Sequence, residues 1–185
     1  MKVQRTAIAD VLILQPQVFG DARGFFQESW NRRAFAAATG VDAGFVQDNH
    51  SRSHRGVLRG LHYQLRQPQG KLVRVVRGAV FDVAVDIRPG SPTFGRWAGV
   101  VLSADNHRQL WVPPGLAHGF LVLADDTDFL YKTTDYYAAE HERAIAWDDA
   151  AIGIRWPLAE HGIDAPQLSD KDRVAPLLAD AELPD

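Results

Sequence analysis

The sequence predicts an all-β fold, a barrel or a sandwich. Glycine and proline recur at short intervals, and the runs between them are rich in Val, Ile, Leu, Phe and Trp. That is the pattern of short strands joined by tight turns. Residues 79–88 show it most plainly. Phe81, Val83, Val85 and Ile87 take one face, and Val80, Asp82, Ala84 and Asp86 the other, a period of two with one strongly apolar face. In chain order, 59–64 reads as a strand entering the core, and Lys71–Arg77 and 79–88 read as two strands with Gly78 between them. Pro89-Gly90-Ser91-Pro92 forces a turn. Further strands are predicted at 97–102, Gln109–Val112, 119–123, 129–134 and 144–147, and the run 119–123 is apolar on both faces, which places it under cover on both sides.

Helix signals are few and peripheral. Asn31 can cap an alanine-rich helix over Arg32–Thr39 that Gly40 stops. Ser169 can start a short C-terminal turn through Asp172, and Pro176 another through Ala181. The tail, 159–185, is polar and is expected to be loosely held. The chain of 185 residues shows no internal repeat, low-complexity tract or linker, so a single domain over 1–185 is expected.

Composition narrows the function. With 46% hydrophobic residues a core can form. Twenty cations against 23 carboxylates give a net charge of −3, too balanced for a dedicated nucleic-acid binder. The absence of cysteine excludes a disulfide scaffold, a thiol nucleophile and a zinc–thiolate site. No apolar run approaches the ~20 residues that span a bilayer, and the N-terminus lacks the signal-peptide layout. A soluble cytoplasmic protein with no membrane or nucleic-acid partner is the expectation.

Alternation also puts polar groups where apolar ones belong. Lys71 shares a strand face with Val73 and Val75, so its ammonium either enters the barrel to meet an anion or snorkels out from the strand's frayed start. His62 lies in Arg59-Gly-Leu-His-Tyr-Gln64, and His118 in a turn that feeds a strand. Each could be a base, a metal ligand or a satisfied core residue.

The segment Pro113-x-Gly-x-x-His118 resembles the second sequence motif of the cupins, small double-stranded β-helix (jelly-roll) barrels. The stretch matching their first motif reads His62-Tyr63-Gln64, without its second histidine, and no carboxylate occurs between Gln64 and Arg77. The resemblance implies the fold and argues against a metal site. Eight stretches then resemble, in order, the dTDP-4-dehydrorhamnose 3,5-epimerase family. They are Asp21-Ala-Arg-Gly-Phe-Phe-Gln-Glu28, Gln47-Asp-Asn-His50, Leu58-Arg-Gly-Leu-His-Tyr-Gln64, Lys71 in Gly70-Lys-Leu-Val-Arg-Val, the segment Phe81 to Gly95, Val112-Pro-Pro-Gly-Leu-Ala-His-Gly-Phe120, Tyr131-Lys-Thr-Thr-Asp-Tyr-Tyr137 and Leu168-Ser-Asp-Lys-Asp172.

The resemblance implies an all-β cupin-type barrel with a few short peripheral helices, without metal or cofactor, acting as a homodimer on a dTDP-4-keto-6-deoxyhexose. It assigns His62 as the base, Asp172 as the carboxylate that orients and charges it, Lys71 as the cation near the keto oxygen, and Tyr131 as the proton donor from the opposite face. Arg23, Gln47, Asn49, Arg59, His118 and Lys171 fall where the family holds nucleotide, diphosphate or sugar. Glu28 and Glu142 match carboxylates near the nucleoside, and Tyr137 a stacking ring. Family dimers exchange the N-terminal segment, which would send Arg23 and Glu28 to the neighbour's ligand. On local sequence alone Asp172, three after Ser169, reads better as a capping residue than as a catalytic carboxylate. Rival functions are an epimerase acting at one carbon only, a metal-dependent cupin enzyme, and a sugar-nucleotide binding module.

Overall fold

The computed structural model describes residues 1–184; Asp185 lies outside the described residues. Thirteen strands run in chain order: β1 Lys2–Arg5, β2 Leu12–Gln15, β3 Val18–Asp21, β4 Gly24–Gln27, β5 Gln47–Ser53, β6 Leu58–Gln64, β7 Lys71–Arg77, β8 Ala79–Asp86, β9 Trp97–Ser103, β10 Gln109–Val112, β11 Leu116–Val122, β12 Thr127–Thr133 and β13 Glu142–Ala144. The helices are α1 Arg32–Thr39 and α2 Asp170–Arg173, with two short 3-10 turns. A six-stranded sheet, β1-β2-β10-β7-β12-β5, faces a five-stranded one, β13-β6-β11-β8-β9, while β3 and β4 form a separate hairpin. Neighbouring strands pair antiparallel, which makes the double-stranded β-helix barrel of the cupin type.

Alternation fills the barrel. Val73 and Val75 of β7, Leu110 and Val112 of β10 and Phe129 of β12 meet Val80 and Ala84 of β8, Val100 and Leu102 of β9, and Phe120 and Val122 of β11. Each of the buried Val, Leu and Phe side chains stabilises the fold by about 1.5–3 kcal/mol. The outer faces are covered too. Phe35 of α1 packs with Trp30 and Phe45 on Leu12, Leu14, Leu72 and Trp111. Leu61, Val83, Val85 and Ile87 lie beneath Ile145, Ile152 and Leu178. The face of β8 that carries Asp82 and Asp86 therefore points inward rather than to water, and both carboxylates are fully buried.

Several expectations are corrected. The strand predicted at 119–123 begins at Leu116, and all of it is buried. The strand at 144–147 is shifted to Glu142–Ala144, with Ile145 still exchanging backbone hydrogen bonds with Leu61. Within the stretch Pro176–Ala181 the turn is confined to Leu178–Asp180. The tail is held, not loose: the Tyr63 hydroxyl donates to the Glu182 carbonyl, Leu178 N–H donates to Asp149, and Leu178 seals the core. The helix Arg32–Thr39 stands as predicted, with the Asn31 side chain accepting from Ala34 N–H and Gly40 in the left-handed conformation.

Candidate active site

β6 and β11 approach so closely that a Cβ on Gly60 would lie 2.5 Å from the Gly119 Cα, and one on Gly119 would lie 2.7 Å from the Arg59 carbonyl oxygen. Gly60 also has φ +121°, a conformation closed to most residues. Beside this contact His118 stands directly opposite His62 in the ladder, at a register shift. The two glycines thus let the histidines line one cavity of about 650 Å³ at the mouth of the barrel.

His62 looks into the cavity from the five-stranded sheet. Its Nε2 lies 2.5 Å from Oδ1 of Asp172, whose side chain is only 2% exposed. Asp172 Oδ2 accepts from the Ser169 hydroxyl at 2.8 Å, and Ser169 Oγ accepts from Asp172 N–H at 3.2 Å. Asp172 is therefore both a capping partner and the carboxylate on His62, because its two oxygens serve the two roles separately. Asp170 points to solvent and pairs with Arg173. Burial pushes the Asp172 carboxyl up, but the hydrogen bonds from His62 and Ser169 outweigh it and hold it below its ordinary value. Because Asp172 is held as a carboxylate, Nε2 of His62 is the donor in this bond, which leaves Nδ1 as the ring nitrogen open to chemistry.

Lys71 enters the same cavity at the start of β7, in register with Thr133. Inward parity prevails over snorkelling. Burial pushes its ammonium down to about 8, while Asp82 and Glu142 pull the other way. Tyr131 lines the cavity from the opposite sheet, between Asn49 and Val73. Burial, with Glu142 adding, raises its phenol, so it keeps its proton at neutral pH.

The remaining predicted residues fall into two groups. Asn49, Arg59, His118, Glu142 and Lys171 line the cavity. Lys171 Nζ donates to both Glu142 oxygens at 2.9 Å, and the Tyr137 hydroxyl donates to Glu142 at 3.1 Å. Gln47 joins this rim by donating to Asn49 Oδ1 and accepting from Tyr137 N–H. Arg23 and Glu28 stand apart. Arg23 forks onto Asp21 in the β3–β4 hairpin, 90% exposed, and Glu28 accepts from Asn31. Among the described residues no three His, Asp or Glu side chains are placed to hold a metal. His62 and His118 each spend Nε2 on a carboxylate.

A family model described as dTDP-4-dehydrorhamnose 3,5-epimerase matches residues 5–180. The chain belongs to that family. It is an epimerase, an enzyme of the isomerase class. Among relatives, the dTDP-4-dehydrorhamnose 3,5-epimerase of Pseudomonas aeruginosa is 62% identical over 98% of each chain. The crystal structure of the dTDP-6-deoxy-D-glucose-3,5-epimerase of Legionella pneumophila, in complex with dTDP-4-keto-L-rhamnose, superposes with a TM-score of 0.95 at 52% identity, covering 99% of this chain and 97% of that one. The Bacillus anthracis dTDP-4-dehydrorhamnose 3,5-epimerase, solved with TDP and PPi bound, gives a TM-score of 0.89 at 48% identity, covering 95% and 98%.

Two groups at this epimerase's site were not singled out in the sequence. Asp82 Oδ1 sits 2.9 Å from His118 Nε2, with both side chains buried. Its signal was its place between Val80 and Ala84 on the inward face. Ser169 was read only as a cap, and its second bond to Asp172 depends on α2 folding back onto β6.

Proposed function

We propose that this epimerase inverts carbons 3 and 5 of dTDP-4-dehydro-6-deoxy-D-glucose to give dTDP-4-dehydro-L-rhamnose. Protons on both carbons are acidified by the 4-keto group. The observation that carries the reading is the opposition of His62 and Tyr131 across one cavity, from facing sheets, with Lys71 beside them. Nδ1 of His62 takes the proton from carbon, and the electron pair moves onto the keto oxygen. Asp172, held as a carboxylate, fixes the ring and stabilises the imidazolium that forms. Lys71 donates to the developing oxyanion. Tyr131 returns a proton to the same carbon from the other side, and its phenolate is reprotonated from solvent while His62 releases its proton. Proton and electron counts close without a redox cofactor.

The enzyme acts as a single-domain, cytoplasmic homodimer in this reading. The β3–β4 hairpin pairs only with itself and exposes Phe19, Phe25 and Phe26, each more than half accessible. Exposed apolar side chains so concentrated mark a contact surface. On that hairpin Arg23, and just beyond it Glu28, reach a second copy's ligand, where an arginine fork suits a diphosphate.

The test is incubation with dTDP-4-keto-6-deoxyglucose in heavy water, following carbons 3 and 5 by NMR. Deuterium enters at both positions and dTDP-4-dehydro-L-rhamnose accumulates, and His62→Ala stops both while nucleotide still binds. Exchange at one carbon alone makes this a single-centre epimerase, and exchange at neither refutes the mechanism.

A further inference from the structure

The mechanism leaves unused Asp82, the buried carboxylate bonded to His118 of the cavity wall. It is fully buried on β8, among Val80, Ala84 and Phe120 of the barrel interior. Oδ1 is engaged by His118, but Oδ2 is buried with no hydrogen-bond partner. A buried carboxylate with an unsatisfied oxygen costs several kcal/mol unless a cation compensates, and an asparagine would serve His118 equally well without a charge. The charged groups facing the cavity show where the compensation lies. Lys71 on β7 shares the cavity with His50 and Arg52 on β5 and His54 just after it, His62 and Arg59 on β6, His118 on β11, Tyr131 on β12, Glu142 on β13, and Lys171 and Asp172 on α2. Asp172 is committed to His62, and Glu142 is matched by Lys171 through two hydrogen bonds. Asp82 alone among these carboxylates keeps a buried oxygen with no hydrogen-bond partner.

We propose that Asp82 is a positioning residue of the epimerisation. One oxygen fixes the His118 ring with Nδ1 turned to the cavity, and the other supplies the buried negative charge that keeps Lys71 an ammonium at the keto oxygen. The assignment rests on the epimerase reading, and it agrees with Asp82 being the largest influence raising the Lys71 ammonium against burial.

Asp82→Asn separates charge from geometry, since the amide oxygen still accepts from His118. The chain has four lysines, at 2, 71, 132 and 171, so Lys71 can be followed in protein labelled with [13C]lysine. Its midpoint falls by about one pH unit in Asp82→Asn. The alkaline limb of kcat moves down with it, so that above pH 8 kcat drops by up to about tenfold while KM changes little. An unchanged Lys71 midpoint, or an alkaline limb that stays put, overturns the proposal. If Asp82→Asn does not fold, Asp82→Ser is titrated in the same way, and an unchanged Lys71 midpoint overturns the proposal. Wild-type protein that exchanges neither carbon in heavy water refutes the epimerase reading instead, and leaves the lysine titration to be judged on its own.

Discussion

Replacing Lys71 by methionine should abolish exchange and stabilise the fold. The side chains are alike in length, so the barrel is refilled while the charge is removed. Burial lowers the ammonium from its ordinary 10.5 to about 8. A fall of about 2.5 pH units at 1.36 kcal/mol each is worth about 3 kcal/mol. Below pH 8 lysine is charged in both folded and unfolded chains, and the native state bears that whole cost. Between pH 8 and 10.5 the folded lysine is already neutral while the unfolded one is still charged, so the cost shrinks. Above 10.5 it is gone. That net fall already includes the opposing pull of Asp82 and Glu142. At pH 7 Lys71→Met is therefore expected to be more stable by about 1–3 kcal/mol, or about 2–12 °C in Tm for a chain of this size. Melting curves of both proteins by circular dichroism from pH 6.5 to 10.5 measure the gap, which narrows as pH rises. A wild type that melts at or above Lys71→Met at pH 7, or a gap that stays constant with pH, refutes the burial of a charged lysine at this position.

Asp172→Ala should lower the rate of exchange at both carbons by about 10²–10³, within the span of a positioned acid or base, because the His62 ring loses the partner that fixes its proton on Nε2; heavy-water NMR rates measure it. Gly119→Ala drives a Cβ to 2.7 Å from a backbone oxygen of β6 that cannot turn away. It should cost about 2 kcal/mol or more and separate His62 from His118, as read by urea unfolding together with activity. Substituting Phe25 and Phe26 by serine should leave each barrel folded, shift the dimer towards monomer in analytical ultracentrifugation, and weaken nucleotide binding because Arg23 leaves with the hairpin. A variant that stays dimeric and binds normally contradicts the exchange of that segment.

The parts of the fold legible in the sequence were those with a local signature. Helix Arg32–Thr39 declared both caps, and β8 declared its period. What alternation could not convey is which face is the inside. In β8 the strongly apolar face of Phe81 and Val83 packs outward beneath the C-terminal tail, while Asp82 and Asp86 point into the barrel. Asp86 survives there because Arg88, Ser91 and Thr93 all donate to it. Burial pushes its carboxyl up, yet those bonds hold it well below the usual carboxylate range. The strand β5, QDNHSRS, has no apolar stripe to announce it, since its outer residues engage β12 through charge, as Arg52 does with Asp128. Among the site residues, Lys71 was visible by parity. Asp172 was not, because its distance from His62 is set by how the tail returns across β6, a contact with no counterpart in local sequence.

That return has a consequence for how the enzyme comes into being. The imidazole and the carboxylate that steers it are 110 positions apart in the chain, and the last strand ends at Ala144. A polypeptide cut short anywhere between there and Ser169 retains every strand of the barrel, with Arg59 and Lys71 on them, yet lacks Lys171 and has no dyad. Catalytic competence therefore waits on the segment Ser169–Asp172, the last part of the site to leave the ribosome.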